Sequence, residues 1–447
     1  MNRALDLLLT LAFVVVATTD IARGQSAQVP AAPQSTAILI ENARLHPVSP
    51  DHPHTVEAGW LLFEDGRITA LGEGSAPADM MEGADRIAVG GLSVVPGFIA
   101  VPSQIGLLEV EQVDATDDRR EGADRSPEAA PWIAVNPDSD LIPVSRSAGI
   151  LHTLAVPLGG TIPGRASVLR MDGWTTEDLA VVRDAGVVLS WPMAAPIRAS
   201  WMRRSSRDQQ RDIGARLRAI DDWFDAAEAW TAAKAADPTL QTDLRFESMG
   251  PVLAGERPLF IRADSRGQIE TAIAWATRRG YRPVIVGGSA AADCTEILTA
   301  TGVPVVLTGT HRKPAGRHHP VDAVHSLPRR LHEAGVLFAI SAEESPQDER
   351  GIAHNAATAA AHGLPKHAAL HAVTRGPAEI IGVGDRLGSL EPGRSATFFL
   401  CEGDPLEVVN PPLRAWIDGR EIDLGDRQKR LHEKYREKYR RSGLLGG

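Results

Sequence analysis

The chain has 447 residues, 43% hydrophobic and 23% charged, which suffices for a full core. Its 47 Lys and Arg against 57 Asp and Glu leave a net charge of −10, which argues against nucleic acid as a partner. Only two cysteines occur, Cys294 and Cys401, so stability need not rest on disulfides and a single bridge is the most that is available.

In chain order, residues 1–24 predict a secretory signal peptide. Arg3 gives a positive start, residues 7–17 form an apolar core short for a membrane span, and Ala22-Arg23-Gly24 is a small-x-small cleavage site. The alternative is an uncleaved N-terminal anchor. The chain is therefore expected to be exported, periplasmic or extracellular, with no membrane span after cleavage. Residues 25–36 predict a short disordered leader.

Residues 37–95 alternate strand-like runs with turn signals, including an Asp65-Gly66 hairpin turn. Residues 386–425 resume that pattern, with a second such turn at Asp418-Gly419. Two β-rich pieces at opposite ends predict one small β-sandwich domain split by a large insertion. Between them, residues 96–385 alternate apolar runs with helical patterns. GILHTLAVP, GVVLSWP, RPLFIRADS, RPVIVGG, VPVVLTGT and VLFAISAEE suit buried parallel strands. Helix signals at 268–280, 292–302 and 327–335 each close on glycine. The pattern predicts an α/β fold, a (β/α)8 TIM-like barrel, although its fourth strand has no clear place. Residues 196–236 read as an insertion that ends in a helix. Residues 426–447 form a basic tail, with eight Lys or Arg against three Asp or Glu over 426–441. It is expected as a solvated helix packed by Leu431, Tyr435 and Tyr439, at i, i+4 and i+8; the alternative is a basic arm for an anionic partner or membrane surface.

At the junction stands VVPGFIAVPSQIGL, residues 94–107. With the split sandwich it resembles the amidohydrolase superfamily, whose matching segment looks like PGFIDAHSHIGL. NPDSDLIPVSRSAGI, GLPKHAALHAVT, GPAEIIGV and LGSLEPGRSATFFL are similar to its imidazolonepropionase-like branch. The resemblance implies one or two divalent metals such as zinc at the C-terminal ends of the barrel strands, and hydrolysis of C–N bonds. The implied ligands are a histidine pair after strand 1, single histidines after strands 5 and 6, and an aspartate after strand 8.

This sequence departs from that pattern at each position. The histidine pair is replaced by Pro102 and Gln104, and Ala100 replaces an aspartate. Arg262 stands at the strand-5 position, Gly287 or Gly288 at strand 6, and Ala342 or Glu343 at strand 8. Proline and glycine offer no ligand atom, an amide carbonyl is a weak partner for zinc, and a guanidinium repels a dication. No metal or other cofactor is therefore predicted. Arg262 could instead supply the missing positive charge by pairing with Glu343, or bond locally to Asp264 or backbone carbonyls.

His311, His318, His319 and His325 crowd the loop after strand 7, where they form an improvised metal site or, alternatively, a polar loop whose rings never converge. His354, His362, His367 and His371 read as packing or surface residues. Asp117, Asp118 and Asp138 lie in loops expected to cover the barrel mouth and are candidate pocket residues, or else caps and turn formers. No G-x-S-x-G, H-E-x-x-H, P-loop or C-x-x-C motif occurs. Three functions fit: a metal-free, non-catalytic homologue that binds a small molecule or oligomerises with an active relative; a C–N hydrolase with relocated catalytic groups; or a metal-free enzyme of another type built on Gln104, Arg262, Glu343, Asp117 and Asp118.

Overall fold

A computed structural model describes residues 28–52, 54–199, 201–314, 319–342 and 345–444. The predicted signal peptide lies outside these residues. Among them, no helix is long and apolar enough to cross a membrane.

The N-terminal strands are β1 (Ile38–Leu45), β2 (Val56–Glu64), β3 (Arg67–Glu73), β4 (Asp85–Ala88) and β5 (Ser93–Pro96). They share one eight-stranded sheet with β14 (Phe398–Cys401), β15 (Arg414–Ile417) and β16 (Arg420–Ile422), so both chain ends meet in it. The bridging pair is β5 with β14, antiparallel, with Pro96 opposite Phe398 and Val94 opposite Leu400. Two-residue turns join β2 to β3 and β15 to β16, with Asp65-Gly66 and Asp418-Gly419 all at positive φ, as twist-compatible hairpin turns require. The sheet buries Trp416 stacked on Phe398 at 5.0 Å, with Phe63 edge-on to both.

The second sheet runs in sequence order: β6 (Phe98–Ser103), β7 (Ile150–Ala155), β8 (Gly164–Arg170), β9 (Ala180–Ser190), β10 (Pro258–Ala263), β11 (Arg282–Gly287), β12 (Val305–Thr308) and β13 (Phe338–Ser341). It makes a nearly closed barrel. Between β13 and β6 the backbone of residues 372–373 fills the seam: Ile340 N donates to the Ala372 carbonyl and Ile99 N to the Val373 carbonyl, both at 2.9 Å. One apolar cluster draws Ile99, Val101, Leu154, Val168, Val188, Phe260, Val284, Val306 and Ala339 from all eight strands and is the barrel interior. Ala378, Ile380 and Val383 join it from below, where helix Arg375–Ile380 lies against the first residue of β13.

The barrel is not wholly parallel. β8 runs antiparallel to both β7 and β9. Residues 156–163 and 171–179 are too short for the crossover of about a dozen residues that a parallel return needs, so the chain doubles back twice. The expected run 186–192 is the end of the long β9, which is the fourth strand, and β8 was not anticipated. The supposed insertion is a crossover helix, Ser206–Ala236, capped by Ser205 and packed through Phe224 edge-on to Trp275. The C-terminal helix Arg427–Arg441 forms, but Leu431, Tyr435 and Tyr439 are 40–47% exposed and no residue of it is buried, so it is not packed as expected. Cys294 and Cys401 are free, buried thiols with no bridge between them.

The chain passes between sheets at Gly97. A Cβ there would lie 2.7 Å from Leu151 Cδ1 and 2.8 Å from its Cβ. Gly97→Ala should therefore destabilise the fold by about 1–3 kcal/mol. Gly214→Ala, in helix Ser206–Ala236 where the added Cβ would meet only the flexible Arg218 Nη1 at 3.5 Å, should be neutral or gain up to about 1 kcal/mol. Equal denaturation midpoints for the two variants would show that the crossing is not tightly packed.

Candidate functional site

The C-terminal ends of β6, β7 and β13 converge on a buried polar group. Gln104 follows β6 and is 1% exposed; its Oε1 accepts from Arg119 Nη1 at 3.3 Å. Arg119 also grips Asp117 through two bonds of 2.7 Å, the fork-to-fork geometry that suits a guanidinium and a carboxylate. The guanidinium beside Asp117 holds its carboxyl down at about 2. The loop carrying this pair is sewn over the barrel: Asp118 N donates to the Leu107 carbonyl at 2.8 Å, and Leu158 N to the Arg119 carbonyl at 2.6 Å. The Asp118 side chain is exposed.

Below it lies Glu349, in the short turn Glu349–Gly351 after β13, and 3% exposed. Ser103 Oγ donates to its Oε2 at 2.6 Å. Burial pushes its carboxyl from 4.5 up to about 8, and the Ser103 and Thr153 hydroxyls offset only part of that. Glu349 is thus an uncharged acid near neutral pH. Sequence reasoning missed it because SPQDERG, residues 345–351, reads as a polar surface loop. Only its later burial between two strand ends distinguishes it.

The other anticipated positions do not gather into one centre among the described residues. Pro102 is buried within β6, after a cis bond from Val101. Arg262 lies in β10, in register with Ser190 and Val286, and its carbonyl accepts from Trp191 N at 3.2 Å. Asp264 is bound by Ser289, Oγ to Oδ1 at 2.6 Å. Glu343 lies outside the described residues, as does His318, so the Arg262–Glu343 pairing rests on a residue without a described position. Ala342 is buried directly after β13. Of the loop histidines, His311 Nε2 sits 2.6 Å from Thr358 Oγ1, and His325 Nδ1 2.8 Å from the Thr310 carbonyl. His325 stacks near His362, and His332 lies edge-on to His367.

Among the described residues, those at the strand ends do not offer a ligand set for a divalent cation. A Cβ at Gly287 would lie 2.8 Å from Asp264 Oδ1, and one at Gly288 would lie 2.6 Å from Val305 Cγ1, so neither position admits a ligating side chain as packed. The one amide oxygen at Gln104 already faces a guanidinium. Among the described residues, no group of three or more His, Cys, Asp or Glu is placed to hold a metal ion.

Residues 313–425 match the amidohydrolase family. The chain is 24% identical to the amidohydrolase tasK of Hapsidospora irregularis over 85% of its own length, and spans 42% of that longer protein. Its fold is similar to that of an amidohydrolase from Thermotoga maritima MSB8, with a TM-score of 0.73 at 24% identity, covering 86% of this chain and 99% of that one. Molinate hydrolase is similar at a TM-score of 0.51 and 15% identity, over 89% of this chain and 96% of that one. The family match thus rests on residues 313–425, and the likeness to solved structures shows a shared fold.

The Glu349 proton gives stability a pH dependence. The unfolded carboxyl ionises near 4.5 and the folded one near 8, so between those values the folded state binds more protons. Stability from this group should be complete below about pH 4.5, fall as pH rises toward 8, and level off above it. Glu349→Gln should abolish that slope and be the more stable protein above pH 8, by a difference on the order of a few kcal/mol. Parallel stability curves for the two proteins from pH 5 to 9 would rule this out.

Proposed function

We propose that the chain is an exported, metal-free homologue within the amidohydrolase superfamily, most similar to its imidazolonepropionase-like branch. It does not perform metal-dependent hydrolysis, and its role is to bind a small molecule or to associate with an active relative. The observation that carries this reading is the pair of closed glycines, Gly287 and Gly288: Asp264 and Val305 occupy the space a strand-6 ligand would need. Pro102, Gln104 and Arg262 support it, because none supplies a lone pair suited to binding zinc. Without a cation nothing brings water to a pKa near 7 or polarises a scissile carbonyl.

A second reading keeps catalysis: a C–N hydrolase whose acid–base group has moved. Glu349 favours it, as a neutral carboxylic acid among Ser103 and Thr153 at the strand ends is suited to donate a proton. Gln104 and Glu349 are enclosed, so substrate would require the Asp117–Arg119 loop to lift away.

Metal content of the purified protein after dialysis separates these readings from ordinary hydrolysis. We expect well under one zinc, manganese or iron per chain; stoichiometric retained metal would refute the proposal. Joint Pro102→His, Gln104→His and Arg262→His changes should not restore a tight site, because the strand-6 position stays closed. Amide hydrolysis by the metal-free protein that is lost in Glu349→Gln, with folding retained, would establish the second reading over the first.

A further inference from the structure

A cavity of about 550 Å³ opens at the opposite, N-terminal face of the barrel, where the small sheet meets it. It is lined by four arginines from four separate segments: Arg67 on β3, Arg170 at the end of β8, Arg386 after helix Arg375–Ile380, and Arg420 on β16. The carboxylates lining it are Asp65 and Asp418. The wall therefore carries two positive charges in excess, within a protein whose net charge is −10.

The acceptors at hand are already engaged. Asp418 Oδ2 takes Arg170 Nη1 at 2.7 Å and its Oδ1 takes Ser395 Oγ at 2.7 Å. Asp172 lies 3.4 Å from Arg420, but its shorter contact, 2.8 Å, is with the buried Arg146. Arg386 has Asp385 only at 3.8 Å, and Arg67 donates one bond to the Gly393 carbonyl. Arg170 Nε is buried with no hydrogen-bond partner among the described residues. A guanidinium carries five N–H donors, so this wall presents many more donors than local acceptors. Buried His152 forms part of it, and burial holds its ring toward the neutral form.

Converging guanidiniums repel one another unless an anion lies between them, and planar forks suit oxyanions. We propose that this cavity is a binding site for a small oxyanion with two or more negative charges, a phosphate ester or a polycarboxylate, held by Arg67, Arg170, Arg386 and Arg420. It shares no lining residue with Gln104 or Glu349, and does not depend on the function assigned there. The two hairpin turns, Asp65-Gly66 and Asp418-Gly419, set its rim, so bound anion would tie both chain ends to the barrel.

The test is thermal unfolding of the whole purified protein, titrated with inorganic phosphate or with citrate at fixed ionic strength set by sodium chloride. We expect a saturable rise in midpoint with at least one of the two; the stronger one identifies the class. Arg386→Gln, a change at a partly exposed residue whose ion-pair partner among the described residues, Asp385, is 3.8 Å away, should fold normally and shift the midpoint concentration upward by about tenfold. Arg67→Gln should act likewise. A response matched by sodium chloride alone, or unchanged in both variants, would overturn the proposal.

Discussion

The antiparallel pairing of β5 with β14 holds this molecule in one piece. Val94, Val95 and Pro96 meet Leu400, Phe399 and Phe398 across some three hundred residues of intervening chain. One residue later, Gly97 turns the chain out of the small sheet and into the barrel, so close to Leu151 that no side chain fits. Phe98 then packs edge-on to Phe399 at 5.0 Å, so the first barrel strand and the returning strand share an aromatic contact. Everything downstream inherits its register from this crossing: β6 starts the barrel, and its far end delivers Ser103 and Gln104 to the opposite face. A long closed loop is costly in chain entropy only logarithmically, and this dense apolar contact offsets that cost.

At the barrel mouth, the described charged groups are paired or neutralised locally. Arg119 is clamped by Asp117 and faces Gln104, and Glu349 accepts from Ser103. Each element is consistent with the others physically. A buried ionised carboxylate without a counter-charge is expensive, so Glu349 keeps its proton. Arg119 has a counter-charge and keeps Asp117 ionised. The positive charge of the site thus resides in a loop side chain that could move, whereas the acid is fixed between strand ends. The arginine-lined cavity at the other end follows different logic, with donors outnumbering acceptors.

Much of the fold was legible in the sequence because it is built from strong local signals. Both Asp-Gly turns require positive φ and were recognisable as two-residue hairpins. Gly280, Gly302 and Gly335 close helices in the left-handed region, as the glycine spacing suggested. The apolar runs of β7 and β10–β13 are buried on both faces and stand out by composition alone. The reversed strand β8 did not, since GRASVLR carries two arginines and strand direction depends on connection length, not on composition. The apolar stripe of the C-terminal helix was also visible, yet periodicity states that a face is apolar and not that anything covers it.

The sequence alone determined the barrel-like alternation, most of its buried strands and the residue types that stand at the strand ends, because strong local signals and residue identity are read without any tertiary contact. Tertiary structure alone decided what gathers around those places. Glu349 and Arg119 are ordinary polar loop residues until folding removes one from water and sets the other against Asp117 and Gln104. The four arginines of the second cavity are scattered from position 67 to 420 and converge only when both hairpin turns dock on the barrel. Burial and convergence are properties of long-range contacts, and these are what give a titratable side chain its charge state and its partners.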